Sequence, residues 1–260
     1  PDIIPVGVAV VGRGRNSAVV QCGASERGAA MSMTIYQGQL DIVLPDGSRH
    51  DYERFIITRN PDGSRTMRTV TKSPKGDLLR DVNQMVGADW RPIEAMGRLF
   101  FKGEAQGTVL RRVVGDRLLS YVWSGNGEMD YAELAAPPNL SLGFHPVMHE
   151  AWKMCFIDRT HHAPQPVYIH TVSHTWNGRE LSHGGATQNT AEYEGEETRI
   201  AQAGQFACSR FLWHTQFGFG LRIWTTGPDM VLVRVAVVGS DRDGTYYDLA
   251  TFTETTVDDD

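Results

Sequence analysis

The sequence predicts an all-β fold, an antiparallel, partly open barrel or strongly curved sheet enclosing a cavity, on three observations. Turn signals recur at an even beat, and the runs between them are rich in Val, Ile, Thr, Phe, Tyr and Trp. Only three stretches resist a strand reading. The first 30 residues, rich in Gly and Ala, predict an irregular arm with a short strand. Within it "VAVVGRGRNSAVV" (8–20) imitates a dinucleotide-binding turn, but Ser17 stands where the third small residue belongs and a poor helix sequence follows. Next come "NPDG" (60–63), "SPKG" (73–76), "VGDR" (114–117) and "GNGE" (125–128), where Gly and Asn supply positive φ and Pro presets a turn. The stretch 140–164 lacks alternation; Pro146 suits a first helical turn, so a short helix is expected from 146 to about 156, as an insertion over the cavity.

In "YIHTVSHTWNG" (168–178) the alternation places Tyr168, His170, Val172, His174 and Trp176 on one face, and Asn-Gly closes a hairpin. The face of Ile169, Thr171, Ser173 and Thr175 is expected to meet solvent. "HGGATQNTAEYEGEE" (183–197) reads as a long polar loop. The last third is a hairpin series, 203–215, 218–226, 230–238 and 245–252, joined at "TGPD" (226–229) and "SDRDG" (240–244). With no internal repeat and no obvious linker, one domain over 1–260 is expected.

Residues 168–252 thus combine a small-residue turn, a strand, an Ile223–Trp224 strand, a "GPD" turn and a strand with a central Arg234. In this they resemble the curved antiparallel sheets of LolA/LolB-like lipoprotein carriers, over about a third of the chain. The resemblance implies a bent sheet around an apolar cavity and carries no catalytic residue across.

Composition narrows the function classes. At 41% hydrophobic and 22% charged, the 260 residues can build a substantial core. The net charge of −6, from 31 acids and 25 bases spread along the chain, offers no basic face to nucleic acid. Apolar runs such as 6–12 and 230–239 fall short of the roughly 20 residues of a bilayer-crossing helix, so no membrane is expected as partner. The opening "PDIIPVGVAVVG" lacks a basic start and a cleavage-like end. Three cysteines, Cys22, Cys155 and Cys208, have no paired spacing; a cytoplasmic setting is expected, without a disulfide framework or a Cys-metal site.

Histidine carries the sharpest signal, because eight of nine lie between His145 and His214. Such clustering suggests a shared site, His being the side chain that titrates near neutrality. Four strand residues span roughly 13 Å, so His170 and His174 are not a chelate pair. They are expected to act as general base and acid on different parts of one ligand. His149 with Glu150 forms a second acid/base pair on the short helix. A metal site would need His145 and His149 plus His161 or His162; none is assigned. Among the strand arginines Arg68, Arg80, Arg98, Arg210, Arg222 and Arg234, with Asp81, Asp89 and Glu94 as structural partners, Arg210 shares its phase with His214 and Cys208. It is the expected anion clamp, with His214, Tyr168 and Trp176 also lining the substrate site and Trp213 and Trp224 on neighbouring hairpins.

No Ser nucleophile elbow, P-loop or recognisable Cys–His pairing is present. The expected activity is therefore a cofactor-independent lyase or isomerase moving protons on a hydrophobic, aromatic small molecule. The alternatives are a non-catalytic carrier of an apolar ligand and a His/Glu metal-dependent hydrolase. Exposed edge strands also allow a homodimer.

Overall fold

The computed structural model describes residues 32–173, 181–240 and 244–258. The N-terminal arm, with its glycine-rich turn and Cys22, lies outside the described residues, as do His174, Trp176 and the Asn177–Gly178 turn.

Eight strands run down the first half as a meander: β1 (Ser32–Val43), β2 (Arg49–Arg59), β3 (Arg65–Lys72), β4 (Leu78–Val86), β5 (Pro92–Phe101), β6 (Glu104–Val114), β7 (Arg117–Ser124) and β8 (Met129–Ala135). The expected turns join several of them: Gly63 N–H donates to Asn60 O, Gly76 N–H to Ser73 O and Gly127 N–H to Ser124 O, each at 2.8–2.9 Å. Pro137 and Pro138 have no N–H to donate, and the meander ends there. The chain crosses to β9 (Leu140–Gly143), runs through an irregular stretch with one short helix, α1 (His149–Trp152), and returns as β10 (Gln165–Thr171). A second meander follows: β11 (Ala186–Ala201), β12 (Gly204–His214), β13 (Gly220–Thr226), β14 (Val231–Val238) and β15 (Tyr246–Asp258).

Within the described residues the fifteen strands form one sheet, in the order β8-β7-β6-β5-β4-β3-β2-β1-β15-β14-β13-β12-β11-β10-β9. Every pairing is antiparallel except β9 with β10. The sheet rolls on itself without closing its hydrogen-bond ladder. Leu140 and Leu142 of β9, with Phe144 and Val172, pack against Val82, Ala95, Val109 and Leu118 of the first meander. Side chains therefore make the seam, and each large apolar one buried there contributes roughly 1.5–3 kcal/mol. Arg111 of β6, fully buried, reaches across it and donates to the carbonyls of His170, Thr171 and His183 at 2.8, 2.7 and 2.6 Å.

Three local expectations are corrected. The helix spans four residues rather than 146–156. His145 stands at φ +71°, outside helical conformation, and the bonds His149 N–H to Pro146 O, Met154 N–H to Ala151 O and Ile157 N–H to Met154 O span only three residues each. The stretch 144–164 is no mere cover: its Met148, Ala151, Trp152, Met154 and Ile157 fill the interior of the roll. Finally, 186–201 is a long strand, not a loop. Its glutamates 192, 194 and 196 alternate with Ala191 and Tyr193, which are buried, and a bulge at Gly195 (φ +115°) bends it.

Candidate functional site

The interior is where the polar chemistry collects, because the 144–164 segment brings backbone and charged groups into a place that strand side chains surround. Glu53 on β2 shares the inward phase of Phe55 and Ile57 and is 1% exposed. Its carboxylate accepts the N–H groups of Val147 (2.7 and 2.9 Å) and Met148 (3.2 Å). Burial raises Glu53 to about 7, against the lowering effect of those two amides and of Arg80. His149 engages Gln84 Oε1 through Nδ1 (2.8 Å) and Thr69 Oγ1 through Nε2 (3.2 Å). Glu150 accepts from Lys153 Nζ at 2.7 Å, and the ammonium lies 4.7 Å from the Trp213 ring centre. Burial raises the Glu150 carboxyl, opposed by Lys153.

A second hub is Asp229, in the "GPD" turn. It accepts from Tyr36 Oη (2.7 Å) and Arg65 Nε (2.7 Å), with Arg59 Nε at 3.8 Å, and its carbonyl accepts from Trp152 Nε1 at 3.2 Å. Arg65 also stacks 4.0 Å from the centre of Trp90. Burial and then Asp229 push the Tyr36 phenol up.

Two clefts flank the interior segment. One, with about 220 Å³ of free space, is lined by Gln84, Ser141, His149, Trp152 and Lys153 among others. The other, about 230 Å³, lies between Arg80, Val82, Gly97, Leu99, Phe144, His145, Val172 and Leu181. His145 is the unusual residue there. Its backbone is left-handed, a conformation costing a non-glycine residue about 1–3 kcal/mol and concentrated at functional positions. The buried Nε2 has no hydrogen-bond partner among the described residues.

The expected site residues scatter. His149 and Glu150 are both buried on α1, but each is bonded elsewhere, so they form no mutual acid/base pair. His170 is 2% exposed on a strand, as expected, yet the strand is covered on both sides: Ile169 and Ser173, expected in solvent, are each 1% exposed. The cause is the rolled edge. Tyr168 and His170 sit level with Leu140 and Leu142 of β9, whose side chains face the first meander, while Val167 and Ile169 join the interior core. Tyr168 is half-buried. Arg210 and His214 lie opposite in phase to the buried Phe211 and Trp213. Arg210 binds Glu197 at 2.6 Å and Glu194 at 3.0 Å, and exposed His214 pairs with Glu192 at 2.9 Å. Arg210 is thus an outer-face ion-pair residue, not an inward clamp. Arg68, Arg98, Arg222 and Arg234 likewise meet Asp81, Glu194 or Asp248.

His145 and His149 are divided between the two clefts, exposed His161 faces Asp158, and His162 Nδ1 meets the Tyr193 carbonyl. Among the described residues no three His, Cys, Asp or Glu side chains converge on one point. Cys155 and Cys208 are free thiols, both raised by burial, Cys208 to about 11.

Sequence reasoning missed Glu53, Asp229, Lys153 and Arg111. Glu53 and Arg111 were detectable, each being a charge in the apolar phase of a strand (Glu53-x-Phe55-x-Ile57; Val109-x-Arg111).

Titration should expose the buried set. His145 and His149 are lowered to about 3, His145 by burial, then Arg80 and Lys153, and His149 by burial, then Lys153. Between pH 6.5 and 3 the folded state holds fewer protons on them than the unfolded chain, so their contribution is full above 6.5 and drains with acid. Glu53 acts oppositely: raised from 4.5 to about 7, it favours the folded state at low pH and loses that advantage as pH rises through this window. The Glu150 carboxyl, raised as well, acts with Glu53, so between pH 6.5 and 4.5 the two carboxyls oppose the two imidazoles. In His149→Gln one imidazole is gone, so over that range the urea midpoint of the variant is expected to rise relative to that of the parent protein as the pH falls. A His149→Gln slope equal to that of the parent protein would show that His149 does not titrate in this way.

No protein-family model matches the chain, and no curated protein matches it in sequence. In fold it is similar to the crystal structure of a beta-barrel-like protein of domain of unknown function DUF1849 from Brucella abortus. The TM-score is 0.49 at 9% identity, covering 86% of this chain and 97% of that one. It is also similar to a protein with a YmcC-like fold from Bacteroides fragilis, with TM-score 0.38 and 11% identity over 84% of this chain and 95% of that one.

Proposed function

We propose that the protein binds and retains a small, largely apolar molecule in the cleft beneath Phe144 and His145, as a carrier rather than a catalyst. The observation that carries this reading is the cleft itself: apolar walls from Val82, Leu99, Phe144, Val172 and Leu181 around a buried ring nitrogen that lacks a partner among the described residues. A few polar groups converging in an apolar hollow are the usual form of a small-molecule site. The likeness of residues 168–252 to LolA/LolB-like carriers points the same way.

Proton-transfer chemistry by a lyase or isomerase has less support. His149 is held neutral with both nitrogens engaged, and Glu150 is tied to Lys153. The test is equilibrium dialysis of the full chain against benzoate, benzamide and indole, followed by chemical recovery of the ligand. At least one compound is expected to bind and return unchanged, and at 100-fold excess over Kd it should stabilise the fold by about 2.7 kcal/mol. Leu181→Trp, which fills the cleft from a half-buried position, should abolish binding without lowering the melting temperature. Conversion of the ligand would replace this reading with the catalytic one; no binding by any of the three would remove it.

A further inference from the structure

We propose that the exposed edge strand β8 joins two copies of the chain, pairing antiparallel with its own copy across a two-fold axis at Ala132, so that the two sheets become one. This interface shares no residue with the cleft of the binding reading and does not depend on it.

Among the described residues the sheet has two ends, and only β8 is open. The four residues of β9 are all buried, whereas most of the seven of β8 are exposed. Which backbone groups of β8 are free follows from the alternation of an antiparallel ladder. Ala136 N–H donates to Asp116 O at 2.8 Å, just beyond the pair Ala135 and Arg117. Asp130, Ala132 and Leu134 share that phase and therefore bond to β7. Met129, Tyr131, Glu133 and Ala135 turn their N–H and C=O outward. With no strand beyond it, the Tyr131 N–H falls back on Asp130 Oδ1 at 2.9 Å. Lysine, proline and bulges, which ordinarily guard such an edge, are missing from β8.

A second copy fits this edge because the strand is complementary to itself. Centred on Ala132, the pairing sets Tyr131 opposite Glu133 of the second copy, and Met129 opposite its Ala135, all in the outward hydrogen-bonding phase and with the whole strand engaged. Moving the axis to Glu133 sets that carboxylate against its own copy, which is destabilising. Moving it to Tyr131 leaves Leu134 and Ala135 unpaired. Glu133 accepts from Arg117 and from Tyr131 Oη within the chain, and in the pair it is placed to accept the tyrosine hydroxyl of the second copy. The outer face adds contact. Met129 and Tyr131 are 55% and 43% exposed, and the Tyr131 ring lies 4.9 Å from that of Tyr121, itself 6.1 Å from Trp123. Across the axis the two Tyr131 rings are diagonal neighbours within reach of each other, so the ladder Trp123, Tyr121, Tyr131 continues into its copy. An exposed aromatic cluster beside charged Arg117 and Glu133 has the composition of an interface.

Sedimentation equilibrium of the full chain tests the proposal, and a dimer is expected. Glu133→Pro removes an outward N–H that β7 does not use, and should weaken association by at least about tenfold while leaving the far-UV circular dichroism unchanged. Should that variant fail to fold, Ala132→Cys decides. The two introduced thiols face each other in a non-hydrogen-bonded pair, where Cα atoms stand about 4.5 Å apart and a disulfide can close. Mild oxidation should convert most of Ala132→Cys to covalent dimer, while Met129→Cys and the parent protein, with its own cysteines, stay unlinked. A monomer at the highest attainable concentration overturns the proposal and leaves the edge to a strand of different sequence. So does a dimer that Glu133→Pro leaves intact, or one that links as readily through Met129→Cys as through Ala132→Cys.

Discussion

Arg111→Ala is expected to lower unfolding free energy by at least about 4 kcal/mol, a large part of what a domain ordinarily possesses. Three carbonyls, of His170, Thr171 and His183, lose the donors that the guanidinium supplies, and each orphaned buried acceptor costs about 1–3 kcal/mol. The excised side chain also leaves a cavity, since Arg111 is among the largest fully buried residues. An opposing effect exists. Burial lowers the Arg111 guanidinium to about 9, so removing the charge recovers some desolvation energy. Arg111→Met separates the two contributions: it keeps most of the stem volume, discards the charge, and should fall between the parent and the alanine variant. Urea denaturation measures all three. An alanine variant within about 1 kcal/mol of the parent would mean that the seam holds without Arg111.

Asp229→Ala should cost about 3–5 kcal/mol, because it strands a cation that the fold has taken out of water. Arg65 has a side chain only 10% exposed and loses its 2.7 Å partner, while Tyr36 loses the acceptor of its hydroxyl proton. The stacking of Arg65 on Trp90 remains, worth no more than about 2 kcal/mol. The control is Asp81→Ala on the outer face, where Arg68 and Arg98 are about half exposed and the expected loss is below about 1 kcal/mol. Two similar losses in thermal or urea unfolding would contradict the distinction between the interior hub and the surface network.

Much of the fold was legible because strands, turns and alternation are local. The 203–215, 218–226, 230–238 and 245–252 runs correspond to β12 to β15, with the last extended to Asp258. Alternation fails where both faces of a strand are covered, as at Ile169 and His170, since the period of two then no longer sorts interior from solvent. Arg210 shows the converse limit: its phase was read correctly relative to Cys208 and His214, but phase alone does not say which face is inward. The clustered histidines share a stretch of sequence, not a point in space, because the interior segment and the two meanders carry them apart. Glu53 and Arg111 join partners 94 and 59 residues away, and no local pattern encodes those contacts.

The middle of the sheet is the pairing of β1 with β15, in which Ser32 stands opposite Asp258. During synthesis the first of these strands leaves the ribosome long before its neighbour exists. The β1 to β8 meander can assemble from adjacent hairpins as it emerges, but its β1 flank must wait, an unsatisfied edge open to aggregation, until the last strand arrives. Slow refolding is therefore expected from the topology, and a circular permutant that joins these two strands by a short turn should refold faster than the natural order of the chain.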